Sequence, residues 1–169
     1  MEQKLINSNW EDKIEVKKGN IGEDIVEKYI EKLGYIIYKP VTEKAHPFDR
    51  LCVKNKVDIF VAEIKTKPKR KYYPDTGFNH NHYEDYKRIQ KKGIKVHIFF
   101  VDEDSGDIYG NWLSELSEQK KIKHNNKIIE YPLIQNNIIY FPIISMKKIT
   151  NLDNEQSLDI KKLYSGSYK

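Results

Sequence analysis

The stretch Asp49–Lys67, "DRLCVKNKVDIFVAEIKTK", decides the fold. Two β-branched and aromatic runs flank the polar "KNK", the pattern of a β-hairpin. Side chains alternate along a strand, so Ile59, Val61, Glu63 and Lys65 share one face. That face starts apolar and ends ionic. A three-residue turn over Lys54, Asn55 and Lys56 pairs Val53 with Val57, Leu51 with Ile59, and Asp49 with Val61. Asp49, Glu63 and Lys65 then point the same way, with Asp49 the diagonal neighbour of Glu63 at roughly 7 Å. A two-residue turn would send the two acids to opposite faces, so a shared site requires an odd-length turn or a bulge. Asp58 falls on the other face and reads as a surface residue.

Outward from the hairpin, Ile21, Ile25, Tyr29 and Leu33 recur at helical spacing with Val26 and Ile30 beside them, which predicts a helix from Asn20 to the stop at Gly34. "YIIYKPV" follows as a strand. Residues 1 to about 18 are polar, with Trp10, Ile14 and Val16 as the only anchors, and read as an arm or short helix. Beyond the hairpin, a basic loop with Pro68, Pro74 and Gly77 leads to a helix over "HYEDYKRIQKKG", the strand "KVHIFFVD", a turn, the strand "IYGNWL" and a short helix. The order helix, three strands, helix, strand, strand predicts an α/β fold, a mixed central sheet flanked by helices. The last forty or so residues predict a hairpin, "KIIEYPLI" and "IIYFPII" around "QNN", and a polar helix near Asp153 to Tyr164. Pro132 and Pro142 point to edge strands.

The chain of 169 residues has about the length of one domain. Its 12% aromatic and 38% hydrophobic content argues for a folded core rather than disorder. The net charge of +5 suits an anionic partner such as nucleic acid. The single Cys52 excludes an intrachain disulfide and a cysteine zinc site, reads as core packing, and fits a reducing compartment. No stretch has an apolar leader or the roughly 18 apolar residues of a membrane span. The expectation is a soluble, cytoplasmic protein with no membrane partner.

Asp49 and Glu63, side by side at the end of an apolar face, repel each other and resist burial unless a cation lies between them. A hard cation with oxygen ligands, Mg²⁺ or Mn²⁺, is the natural guest. Lys65, two residues on, stands where it would orient a water or stabilise charge developing on a phosphate.

Asp49, then "Glu63-Ile64-Lys65", preceded by a helix carrying "GNIGE" with Glu23, resembles the PD-(D/E)XK nuclease superfamily. Within it the pattern is most similar to the Holliday-junction resolvases of archaea and phages. The resemblance spans roughly Lys18 to Trp112 and rests on "GNIGEDIVEKYIEKLGYIIYKPV", "AEIKTK" and "IFFVDEDSGDIYGNWLSEL". It implies a restriction-endonuclease-like core of about residues 18–120 within a single nuclease domain, with residues 121–169 as a C-terminal extension. It also implies metal-dependent hydrolysis of DNA phosphodiesters in DNA recombination, with Asp49, Glu63 and Glu23 around the metal. Lys65 would be the water-positioning group, His82 a site-proximal residue supported by Tyr86, and the active unit a homodimer on branched DNA. Two features depart from the pattern. Phe48 separates Pro47 from Asp49, and "TEKAHP" stands where resolvases carry a Ser- or Gly-rich loop.

Plainer readings accompany these residues. Glu23, three residues after Asn20, has the spacing of a helix cap. Asp49 reads as a turn residue, and Glu63 with Lys65 as an exposed ion pair. His82 beside His80 suits a loop, a helix cap or a transition-metal site. Lys67, Lys69, Arg70 and Lys71 read as a solvated loop, or as phosphate contacts on the path past Lys65. Rival functions are a restriction- or repair-type nuclease on the same core and a nucleic-acid-binding protein without turnover.

Overall fold

The computed structural model describes residues 13–41 and 47–164. Trp10 and residues 42–46 of the loop before Asp49 lie outside them. A six-stranded sheet forms the centre, in the order β1 (Ile36–Tyr38), β2 (Arg50–Val53), β3 (Ile59–Thr66), β5 (Lys95–Val101), β6 (Asp107–Trp112) and β11 (Lys147–Asn151). Only β3 and β5 run parallel, and the other neighbours are antiparallel. The expected mixed sheet flanked by helices is therefore present.

β3 and β5 lie at the centre with both faces covered, which is why "FVAEI" and "VHIFFV" are almost unbroken apolar runs. One face, with Phe60, Ala62, Ile64, Phe99 and Val101, packs under Ile25, Val26 and Ile30 of α1 (Ile14–Lys32) and Ile160 of α4 (Asn154–Tyr164). Cys52 is fully buried there, and burial pushes its thiol up to about 12. The other face, with Val61, Ile98 and Phe100, packs against Tyr86 of α2 (His80–Lys91), Leu113 and Leu116 of α3 (Leu113–Leu116), and a second sheet. That sheet has the order β4 (Asp75–Asn79), β10 (Ile138–Pro142), β9 (Leu133–Gln135).

The helix expected from Asn20 starts two turns earlier, at Ile14. Lys18 occupies a buried position in those turns because the buried Glu103 pairs with it at 3.1 Å. Asn20 is thus interior to α1, and the capping reading of Glu23 fails. The helix ends as expected: Gly34, at φ +85°, donates to Glu31 O, and Tyr35 N–H reaches back to Ile30 O.

β4 was expected as loop, on the strength of Pro74 and Gly77. Gly77 instead permits a close approach, because a Cβ there would lie 2.0 Å from Ile139 O of β10. Pro142 sits at the end of β10, the middle strand rather than an edge, opposite Asp75. The anticipated hairpin around "QNN" is shorter than expected. "KIIEY" forms β8 (Lys127–Tyr131) and pairs with β7 (Lys120–His124), while β9 turns into β10 through Asn136–Asn137. Both hairpins turn on asparagine pairs at positive φ, Asn125–Asn126 and Asn136–Asn137, the conformation of type I′ turns. Residues beyond 121 supply an edge strand to the central sheet and a helix to its α1 side.

Candidate active site

The hairpin register differs from the expected one by two residues. Val53 pairs with Ile59 and Arg50 with Ala62, so the connection is a five-residue loop, 54–58. Asn55 Oδ1 accepts from Val57 N–H (3.0 Å) and Asp58 N–H (2.9 Å), and Lys54 N–H closes the loop on Asp58 O. Asp58 is half-buried and accepts from the Tyr35 hydroxyl at 2.8 Å, so it is a loop anchor rather than a free surface acid. This register, like the expected one, keeps Asp49 and Glu63 on one face, as a shared site requires. The ladder extended by one residue sets Asp49 directly across from Glu63, closer than the diagonal arrangement. Asp49 Oδ2 accepts from Ile64 N–H at 2.7 Å, which fixes the carboxylate against β3.

Glu63 is 3% exposed. Lys65 Nζ donates to its Oε1, the Tyr86 hydroxyl bonds the same carboxylate, and Oε2 is fully buried. Tyr86 on α2 borders the same carboxylate, and burial together with Glu63 holds its phenol protonated far above the usual range. Burial pushes Glu63 up. Burial first, and then the Glu63 charge, push Asp49 up to about 6, against the pull of Ile64 N–H and Lys65. His82, at the start of α2, is largely open to solvent, and partial desolvation by its neighbours and then the Lys65 charge lower its pKa. Asp49, Glu63, Lys65, His82 and Tyr86 line one pocket of about 290 Å³. It adjoins a cleft of about 770 Å³ that runs along α1 and takes in Glu23, Phe48, Asp49, Lys65, Thr66 and His82. The structure thus brings together Asp49, Glu63, Lys65 and His82.

Glu23 lies on the α1 side. Its Oε2 accepts from Arg50 Nη1 at 2.9 Å, with Lys39 at 3.9 Å, and burial and Asp49 raise its pKa. Arg50, 2% exposed, also donates to Glu27 Oε2 (2.6 Å) and to Asp49 O (2.9 Å). Glu23 is thus engaged by Arg50 while its charge still acts on Asp49 and Glu63. Among the described residues no group of three or more His, Cys, Asp and Glu side chains is placed to hold a metal. Arg50 and Glu27 were missed by the sequence reading, although Glu27 stands one turn after Glu23, on the same helix face. α1 reaches this position because Gly22 packs on the end of β3, where a Cβ would come within 1.9 Å of Thr66 Oγ1.

The basic loop divides. Lys69 Nζ pairs with buried Asp102 at 2.9 Å. Arg70 grips the fully buried Asp75, with Nε 2.6 Å from Oδ1, and its guanidinium lies between the rings of Tyr73 and Tyr140. These two side chains are each engaged by a buried acid, partners that the reading of the loop as phosphate contacts did not foresee. Lys67 is half-buried, and burial and Lys65 lower it to about 8, while Lys71 is exposed.

No family model matches the chain, and no curated protein matches it. Among solved structures, the chain is similar to Hjc, a Holliday junction resolvase of the archaeal hyperthermophile Archaeoglobus fulgidus. The TM-score is 0.47 and the identity 9%, over 75% of this chain and 90% of that one. A likeness at this level says nothing about individual residues. No helix among the described residues is long and apolar enough to cross a membrane.

Proposed function

We propose that the chain is a metal-dependent, structure-selective DNA endonuclease, a Holliday-junction resolvase that acts as a cytoplasmic homodimer in DNA recombination. The observation that supports this most is the placement of Asp49 opposite the buried Glu63, beside Lys65, at the edge of an open cleft. Two crowded, desolvated acids fit a hard divalent cation. Asp49 and Glu63 would hold Mg²⁺ or Mn²⁺, with water and phosphate completing the shell. When bound, the ion supplies charge neutralisation at the phosphodiester and lowers the pKa of water.

The chain's own residues divide the remaining work. Lys65, held by Glu63, keeps an ammonium at the cleft, where it orients a water and faces the charge that builds on the phosphate. His82, kept neutral by its surroundings, holds or passes a proton at the mouth of the pocket. Tyr86 packs beneath Glu63 and limits its freedom. Arg50 ties Glu23 and Glu27 to the Asp49 backbone, so Glu23 acts through position rather than as a ligand. Lys67 and Lys71 carry the phosphate contacts.

The test is cleavage of a labelled four-way junction and a matched linear duplex, with Mg²⁺ or with EDTA. Wild type should nick the junction only with metal, and Glu63→Gln should lose at least about a hundredfold in rate. Equal cleavage by Glu63→Gln ends the reading. Sequence-dependent cutting of the linear duplex would replace the resolvase by a restriction- or repair-type nuclease.

A further inference from the structure

A second concave surface lies beyond the catalytic loop, between residues 72–73 and the β7–β8 hairpin. Its volume is about 480 Å³, and its walls include Tyr72, Tyr73, His124, Lys127, Ile128 and Leu133. Tyr72 is 72% exposed and Ile128 69%, a high exposure for large apolar groups standing side by side. The groove is braced from behind. Arg70, bonded to Asp75, stacks 4.2 Å from the Tyr73 ring centroid, and His124 Nε2 lies 3.1 Å from the Tyr72 carbonyl oxygen.

The rim is basic. Lys71 precedes the tyrosines, Lys127 lines the groove, and Lys123 faces Ile128 across the ladder. The one acid lining the groove, Glu130, is engaged by Lys121 at 2.7 Å. Flat aromatic rings on an apolar floor, with Lys127 in the wall and Lys71 and Lys123 next to it in the chain and ladder, match a nucleobase with its phosphate: the ring accepts the base and the amines take the charge. An apolar peptide would leave those lysines without counter-charges, and a second copy would bring its own net charge of +5 against them. Lys65, near the end of β3, and Tyr72 are seven positions apart in the chain, so they stand at most roughly 25 Å apart, about seven base pairs of duplex.

We propose that this groove stacks an unpaired nucleotide of the DNA and so selects substrates with a single-stranded or splayed segment within about seven base pairs of the phosphodiester facing Lys65. The inference rests on the nuclease reading for its choice of DNA as partner, and it deepens that reading by naming what marks the substrate.

Binding of the full chain in EDTA, where no cleavage occurs, isolates the groove. The probes are a blunt duplex and the same duplex with a short single-stranded tail carrying 2-aminopurine. Wild type should favour the tailed probe and quench its fluorescence by stacking. Tyr72→Ala should lose about tenfold in affinity for the tail with no change for the blunt duplex, and Tyr72→Trp should keep the preference. Tyr72 is so exposed that its truncation spares the fold, which circular dichroism checks. The proposal is overturned if wild type shows no preference, or if Tyr72→Ala binds the tail like wild type. It is equally overturned if Tyr72→Ala weakens both probes alike, or changes only the oligomeric state. A protein that stacks the tail but cuts nothing in Mg²⁺ refutes the nuclease reading alone. One that cuts junctions without tail preference refutes the groove alone.

Discussion

Asp49 accepts a backbone N–H, which favours its charge, yet burial and Glu63 outweigh that bond and raise its pKa from 3.8 to about 6. A carboxyl raised on folding binds protons more tightly in the native state, so the metal-free protein should lose stability as pH rises from about 4 through 6. The shift corresponds to about 2–3 kcal/mol at Asp49, and Glu63, also raised, acts in the same direction. Asn can still accept from Ile64 N–H, so Asp49→Asn should be more stable than wild type at pH 8 in EDTA by about 2 kcal/mol and close to it at pH 4. Urea unfolding at both pH values checks this; an equal gain at the two would disprove the electrostatic account. The same substitution should abolish cleavage, the pattern expected where a site is kept at some expense to stability.

At the scale of elements, the contact of α1 on β3 turns on one missing Cβ. Gly22→Ala places a methyl against Thr66 Oγ1, and the neighbouring Val101 limits escape. The variant should lose about 1–2 kcal/mol, and nuclease rate should fall with it as Glu23 and Arg50 shift. Thr66→Ala in the same chain should restore most of both, which a double-mutant cycle measures. Such pairings explain what was legible beforehand and what was not. The acids and Lys65 could be placed on one face because strand alternation is a local rule. The order of helices and central strands followed from the apolar periods of α1, α2, β3 and β5. Arg50, adjacent to Asp49 but turned to the opposite face, finds Glu23 and Glu27 only once α1 has docked, and no local pattern announces that. β4 hid behind Pro74 and Gly77, whose turn-forming habit is the usual meaning of such residues. β11 hid behind Lys147 and Lys148, since an edge strand buries little.

For the whole molecule, the excess positive charge should appear as a steep fall of DNA affinity with salt. Lys67→Ala and Lys71→Ala should each reduce the slope of log K against log salt by about one, across unrelated sequences. Lys69→Ala should act differently. It leaves the buried Asp102 without its ammonium, so the expected effect is lost stability with little change in slope. Salt titrations of binding, with thermal melts in parallel, separate the two classes. A lower slope with Lys69→Ala at unchanged stability would return that residue to the phosphate path.

The two asparagine hairpins dictate their strand registers through tight turns. The five-residue loop 54–58 does not, because the buried Cys52, Phe60 and Ala62 already fix the pairing of β2 with β3 beyond it. Its backbone is tied only to itself, and Val57 at its tip is 89% exposed. Length there is therefore free in a way that it is not at Asn125–Asn126 or Asn136–Asn137. A short peptide tag spliced in after Lys56 should leave junction cleavage within about twofold of wild type, whereas the same tag between Asn136 and Asn137 should not. The loop that leads from Asp49 to Glu63 thus offers a point of attachment from which a dye can test whether DNA arrives at the acids.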